Sequence, residues 1–351
     1  MFVVINDHWD GGWWAMFGSA DVNLKARAEK LYEELWKQVG NYFKDYSYRL
    51  ILESGNEELG DRLNDEYNGI KGVLSENQTY SETNRINQKF VDMIRAQGGK
   101  NANRFLLIAG YNTDIKKTLD TRFMMPTDTA KDKLFISVHF YEPSGYTISE
   151  GIENWEVEFY YKQQNELLEM MTAFTKKGYG VIIGEYGVIP KSGRIVKNNT
   201  VEYTKNFLYN TDLYGYVPLL WDDTDGIFDR QNFKLIDDDL AQLYKNMSLA
   251  EQRKLSNEKI IENAQKGLAD GLANAKSDGV DRSKAYAWIM YASKDWAVTY
   301  NVGDFYNPSA AAAGISATDV LIETHGSYTI KIDLSKTNAE DIDFLAIGLY
   351  N

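Results

Sequence analysis

Cysteine is absent from the 351 residues, which excludes disulfides, thiol nucleophiles and thiolate-bound metals. Histidine is scarce, with three copies. No histidine or carboxylate cluster has metal-ligand spacing, so neither a metal nor another cofactor is expected. No run approaches about 18 apolar residues, so no transmembrane helix is expected. Positive charge is short. The 38 Lys and Arg stand against 51 Asp and Glu, a net −13, which argues against nucleic acid and anionic membrane surfaces as partners. Met1 runs directly into the strand-like Phe2-Val3-Val4-Ile5, and no signal peptide is visible there.

Aromatic residues, by contrast, are abundant: 24 Tyr, 15 Phe and 8 Trp make 13% of the chain. Flat rings stack on the C–H faces of sugars, and they equally build an ordinary aromatic core. Hydrophobic content of 44% supports a sizeable core, and the length fits a barrel plus a smaller module.

Short apolar strands at residues 2–6, 48–52, 104–109, 134–138, 180–183 and 216–220 alternate with amphipathic helices at 22–45, 83–97, 157–177, 201–210 and 238–246. Such alternation means a parallel sheet, and its repetition favours a barrel over an open sheet. Residues 248–284 turn to Ala, Glu, Lys, Asn and Asp with almost no aromatics, as in a helical connector. Residues 285–351 change again to short alternating strands between Gly, Asn and Ser turns, which reads as a partial β-sandwich.

Two strings carry the chemistry: Ser54-Gly55-Asn56-Glu57-Glu58 and Gly184-Glu185-Tyr186-Gly187. Each follows a strand-like run, so each sets a carboxylate where a buried parallel strand emerges into a loop. Two such carboxylates in one barrel are the minimum for cleaving a glycosidic bond. Other polar residues stand at strand ends in a fixed order. Asn6-Asp7-His8-Trp9-Asp10 comes first, then Asn56-Glu57, His139-Phe140-Tyr141, Glu185, and Trp221-Asp222.

This series resembles the catalytic set of glycoside hydrolase family 5. Asn-Asp-His-Trp-Asp-Gly-Gly-Trp-Trp at 6–14 and Asn-Glu-Glu-Leu-Gly at 56–60 resemble its endoglucanase branch, subfamily 4. The resemblance implies an α/β fold: a (β/α)8 TIM barrel lacking its first two strands, with six β/α units present, plus a C-terminal β-sandwich fragment. Residues 1–247 would be the incomplete catalytic domain, 248–284 the connector and 285–351 a partial carbohydrate-binding module. It implies Glu57 as acid/base and Glu185 as nucleophile of a retaining endo-β-1,4-glucanase acting on cellulose-like glucan, mixed-linkage glucan or xyloglucan. Asn56 would hold the sugar 2-hydroxyl, Tyr141 would hydrogen-bond Glu185, and His139 would orient Tyr141 or the acid. His8 and Trp221 would line the subsite before the scissile bond, with Asp222, Trp13 and Trp14 as further substrate contacts. Trp296 and Trp288 would form a C-terminal sugar platform. One carboxyl must stay protonated while its partner is ionised, so neighbours should push their pKa values apart.

Family members carry an Arg on a strand before the one that leads to His8, and it braces the nucleophile. Its absence here leads to the expectation of a fragment with impaired activity and a tendency to aggregate. Secretion is implied by the family, and the partner would be a β-glucan polysaccharide. A non-catalytic glucan-binding protein, or a mannanase or xylanase of the same family, stands as the alternative.

Overall fold

The computed structural model describes residues 1–8, 12–223, 226–247 and 254–278, and the strands Ala285–Ala292, Thr299–Gly303, Leu321–Ile322 and Phe344–Tyr350. The chain divides into two compact units, Met1–Lys276 and Ser277–Asn351.

The first unit is built on six strands: β1 (Val3–Ile5), β2 (Leu50–Glu53), β3 (Leu106–Ala109), β4 (Leu134–Phe140), β5 (Gly180–Tyr186) and β6 (Val217–Leu220). They lie in chain order within one sheet, and every neighbouring pair is parallel. Sequential parallel order with intervening helices is the winding of a (β/α)8 barrel, here present as a six-stranded arc. Among the described residues, β1 and β6 each pair on one side only.

The strands separate two kinds of surface. Leu50, Leu52, Leu106, Ile108, Ile136, Val138, Val181 and Ile183 join the main core under the helices. The alternate residues Ile51, Leu107 and Ile182 form a second cluster with Val4, Phe105 and Phe135, as the two-residue period of a strand requires. Further along the same face come Glu53, Ser137, His139 and Gly184. That inner face therefore changes from apolar to polar towards the C-terminal ends of the strands.

Helix α1 (Val22–Phe43) begins at Asp21, whose side chain accepts from the Asn23 N–H at 2.8 Å. It buries Ala28, Tyr32, Trp36 and Gly40, one residue per turn. Helix α2 (Glu76–Ala96) starts with a capping box between Ser75 and Gln78 and buries Ile86, Phe90, Val91 and Ile94. Trp36 meets Phe90 edge-on at 4.7 Å, locking the two helices together. Helices α3 (Glu158–Met170), α4 (Thr200–Tyr214), α5 (Asp238–Asn246) and α6 (Asn257–Ala273) complete the layer. After α6, Lys276 joins the backbone beside α3 through its N–H to the Glu156 carbonyl and its carbonyl to the Glu158 N–H.

In the second unit, β7 (Ala285–Ala292) pairs antiparallel with β8 (Thr299–Gly303), β9 (Leu321–Ile322) and β10 (Phe344–Tyr350). Trp288 lies on β7, whose backbone alone is described. Trp296, like Trp9 and Asp10, falls outside the described residues.

Candidate active site

The loop after β2 is held rigidly. Ser54, fully buried, donates from Oγ to Asn87 Oδ1 at 2.6 Å and accepts from the Ala109 N–H at 3.0 Å. Tyr32 on α1 donates to the Ser54 carbonyl at 2.7 Å. The Asn56 N–H donates to Glu58 at 2.8 Å, so the buried Glu58 closes the turn that presents Glu57. Asn56 itself is 1% exposed, and among the described residues neither atom of its side-chain amide has a hydrogen-bond partner. A buried amide in that state is poised to take a hydroxyl.

Glu185 is aimed by a strand irregularity. The β4–β5 register shifts at Val138/His139, and the β5–β6 register shifts between Ile183 and Tyr186. A bulge of this kind re-aims a side chain, and here it sets Glu185 opposite His139. Gly184 makes the arrangement possible. A Cβ there would stand 2.8 Å from Ser137 Oγ and 3.2 Å from His139 Nε2.

The three groups converge. His139 Nδ1 lies 2.9 Å from Glu57 Oε1 and 3.5 Å from Glu185 Oε2. Tyr141 donates from its hydroxyl to Glu185 Oε2 at 2.9 Å. Oxygens of Glu57 and Glu185 and a nitrogen of His139 all fall within 4.8 Å of one another. These three could in principle share a cation, although the ring nitrogen and the carboxylates already pair with each other. His8 Nδ1 stands 4.0 Å from Glu185 Oε1, and its ring stacks on Trp221 at 5.3 Å and 11°.

Two groups that sequence reasoning passed over join them. Arg62 Nη2 lies 3.2 Å from Glu57 Oε2. Glu53, the last residue of β2, is 4% exposed beneath the site and accepts from Asn6 Nδ2 at 3.1 Å. Glu53 sits three residues before Asn56, and a carboxylate inside an otherwise apolar strand was the available signal. Arg62 lies in a short turn with no periodic pattern to mark it.

Other expected contacts are placed elsewhere. Trp14 is 2% exposed and belongs to the core, covered by Trp13, Phe17 and Tyr32 at 4.7, 5.7 and 5.5 Å. It therefore offers no free ring face to a sugar. Trp13 is half-buried and spends one face on Trp14. Asp222 accepts from the Phe228 N–H at 2.8 Å and pairs with Arg230 at 2.7 Å, which makes it a brace of its own loop.

Charge is distributed unevenly over the pair. Burial would raise Glu57, but the His139 hydrogen bond and the fields of His139, Arg62 and His8 bring it below its ordinary value. Burial raises Glu185, the neighbouring Glu57 adds to this, and His139, Tyr141 and His8 offset only part. Burial, then the Glu185 charge, holds the Tyr141 hydroxyl protonated. Glu53 is pushed up to about 7 by burial, against the hydrogen bonds and fields that surround it.

A sequence model of the cellulase family (glycosyl hydrolase family 5) matches residues 1–225. Over 254 residues the chain is 32% identical to the xyloglucan-specific endo-β-1,4-glucanase BoGH5A of Bacteroides ovatus, covering 66% of this chain and 48% of that protein. It is 32% identical to endoglucanase A of Paenibacillus barcinonensis over 256 residues, 63% of this chain and 60% of that one. The chain thus spans about half to three-fifths of these relatives' length. Among solved structures it is similar to a GH5-4 broad-specificity endoglucanase from an uncultured bovine rumen ciliate. That match has 31% identity and a TM-score of 0.57, over 71% of this chain and 72% of that one.

Proposed function

This chain belongs to glycoside hydrolase family 5, and on that premise we propose that it is a retaining endo-β-1,4-glucanase. The observation that carries the reading is the pair of carboxylates at the C-terminal ends of β2 and β5, with oxygens within 4.8 Å. Retaining glycosidases hold their two carboxyls about 5–5.5 Å apart, whereas inverting ones need room for a water and stand about 6.5–9.5 Å apart.

Glu185 is the nucleophile. Tyr141 and His139 both engage Oε2, which leaves Oε1 to attack the anomeric carbon. Glu57 gives its proton to the leaving oxygen and later takes one from the water that hydrolyses the glycosyl-enzyme. Asn56 accepts or donates to the sugar 2-hydroxyl with its unpartnered amide, and Trp221 with His8 floors the subsite that holds the reacting ring. The substrate is a β-1,4-linked or mixed-linkage glucan. That choice is supported by relatives named for endoglucanase and xyloglucanase activity, and by a Bacteroides ovatus GH5 xyloglucanase structure in complex with a XXXG heptasaccharide, 25% identical with a TM-score of 0.57. Such a polymer is met outside the cell, so the protein acts as a secreted enzyme. Among the described residues, no helix is long and apolar enough to cross a membrane.

The test is hydrolysis of barley β-glucan, xyloglucan, carboxymethylcellulose and mannan, with Glu57→Gln and Glu185→Gln beside the unaltered chain. The expected result is cleavage of at least one glucan with retention of anomeric configuration. Either substitution should lower kcat/KM by at least about 10³-fold, a transition-state loss of about 4 kcal/mol. Binding without cleavage would make the chain a glucan-binding protein instead. Preferential cleavage of mannan would move the substrate class.

A further inference from the structure

Glu57 stands in a turn that the fold mounts at both ends on one segment, the residues at and after the end of β3. Upstream, the Ala109 N–H donates to Ser54 Oγ at 3.0 Å. Downstream, the Asn112 N–H donates to the Leu59 carbonyl, and the Asn112 side chain grips Asp61 twice. Its Oδ1 accepts from the Asp61 N–H at 2.8 Å, and its Nδ2 donates to Asp61 Oδ2 at 3.0 Å. Between the two anchors Glu58 and Leu59 are buried, while the Glu57 side chain reaches out into the site and is 23% exposed.

This grip is built against local backbone preference. Asn112 (φ 50°, ψ 18°) and Thr113 (φ 50°) are consecutive residues in the left-handed region, where asparagine is tolerated and a β-branched residue is an outlier. Strain of this kind persists only where the surroundings fix it, and it clusters at functional sites. The facing strand of the turn is shaped to match: Gly60 has φ 135°, and a Cβ there would collide with Asn112 Oδ1. Asp61 is itself pinned, accepting from the Tyr111 hydroxyl at 2.6 Å and from Lys117. The amide therefore docks on a fixed point. Asp61 also opens the 3-10 turn Asp61–Asn64, from which Arg62 reaches Glu57 at 3.2 Å.

We propose that Asn112 is a positioning residue for the proton donor. Its amide fixes the downstream end of the Glu57 turn, and with it the line from the Glu57 carboxyl to the leaving oxygen. Glu185 is held separately, by the pairing of β4 with β5 and by Tyr141 and His139. Loss of the clamp should therefore injure proton donation and spare nucleophilic attack. The role rests on the assignment of Glu57 as acid/base.

The experiment measures kcat/KM of the full chain on two β-cellobiosides. The phenyl glycoside has a leaving oxygen that needs a proton, whereas the 2,4-dinitrophenyl glycoside loses its phenolate without one. Asn112→Gly is the main variant, because glycine keeps the left-handed backbone and removes the amide, and Glu57→Gln sets the reference. Asn112→Gly should lower kcat/KM by about 10–100-fold on the phenyl glycoside and by less than about threefold on the dinitrophenyl one. Asp61→Asn, which sets a donor where the amide needs an acceptor, should show the same selectivity. Added to Asn112→Gly it should lower the rate little further, because the two side chains act as one unit. Unchanged rates in Asn112→Gly overturn the proposal, and so does an equal loss on both substrates, which a general loss of folded protein would give. Should Asn112→Gly fail to fold, Asp61→Asn decides by the same comparison. Equal losses in Glu57→Gln, or an unaltered chain that does not cleave the phenyl glycoside, overturn the acid/base reading and the role of Asn112 with it.

Discussion

Burial pushes the Glu53 carboxyl up to about 7, so its neutral form is the one the fold prefers. The sign of the consequence follows from linkage. A group with its folded pKa above the unfolded value of 4.5 lends its full stability below pH 4.5 and loses it as pH rises through about 7. Replacing Glu53 by Gln removes that loss. The variant should therefore gain on the unaltered chain by up to about 3 kcal/mol between pH 5 and 8, read as a difference in urea midpoints. A difference that is constant across this range would show that Glu53 ionises freely in the fold. The cluster of Glu57, His139 and Glu185 permits a second check, because its atoms would also suit a divalent cation. Dialysis against EDTA should leave kcat/KM unchanged, and a loss restored by added metal would contradict the two-carboxylate mechanism. Glu57 and Glu185 were visible in the sequence because their neighbours carry strand and loop character. Glu53 and Arg62 matter only through what the fold brings against them, and Trp14 looked like a sugar platform until its neighbours enclosed it.

At the scale of elements, the site depends on two short irregularities in otherwise regular strands. The apolar runs predicted strands ending at 138 and 183, yet β4 continues to Phe140 and β5 to Tyr186. His139 in β4 and Gly184 and Glu185 in β5 interrupt the apolar runs before the strand-favouring Phe140 and Tyr186, and parallel pairing holds these residues in place. Likewise, α2 begins at Glu76, well before residue 83. Its first two turns are polar apart from Tyr80, and a Ser75–Gln78 capping box fixes their start. The expected helix at 157–177 breaks at Met171 into two segments. Gly184 exposes how little room the irregularity leaves. Gly184→Ala would push a methyl against Ser137 and His139, so His139 must tilt away from Glu57. The expected outcome is a fall in kcat of at least about tenfold with a smaller change in KM, and a thermal midpoint lowered by a few degrees. Unchanged kcat would mean that the β5 backbone relaxes without carrying Glu185 with it.

For the first unit as a whole, the open question is how the arc behaves at its two ends. The parallel order was legible because six strand–helix alternations admit few other windings, but the exposure of the end strands is a property of the assembled sheet. Phe2 and Val3 at the β1 edge are 65% and 42% exposed, and Val217 and Leu219 on β6 are 52% and 36% exposed. Edge strands normally carry charges or proline to discourage pairing with another chain. On β6, Pro218 removes one backbone donor, whereas β1 is entirely aliphatic. The net charge of −13 works against association at low salt, and that repulsion fades once the Debye length falls to about 8 Å near physiological ionic strength. Sedimentation velocity should accordingly show reversible self-association that grows with both protein and salt concentration. Val3→Lys should weaken it more than Val217→Lys, because β1 lacks the proline that already blunts β6. A single monomeric boundary at every salt and protein concentration would mean that the exposed edges do not recruit a second copy.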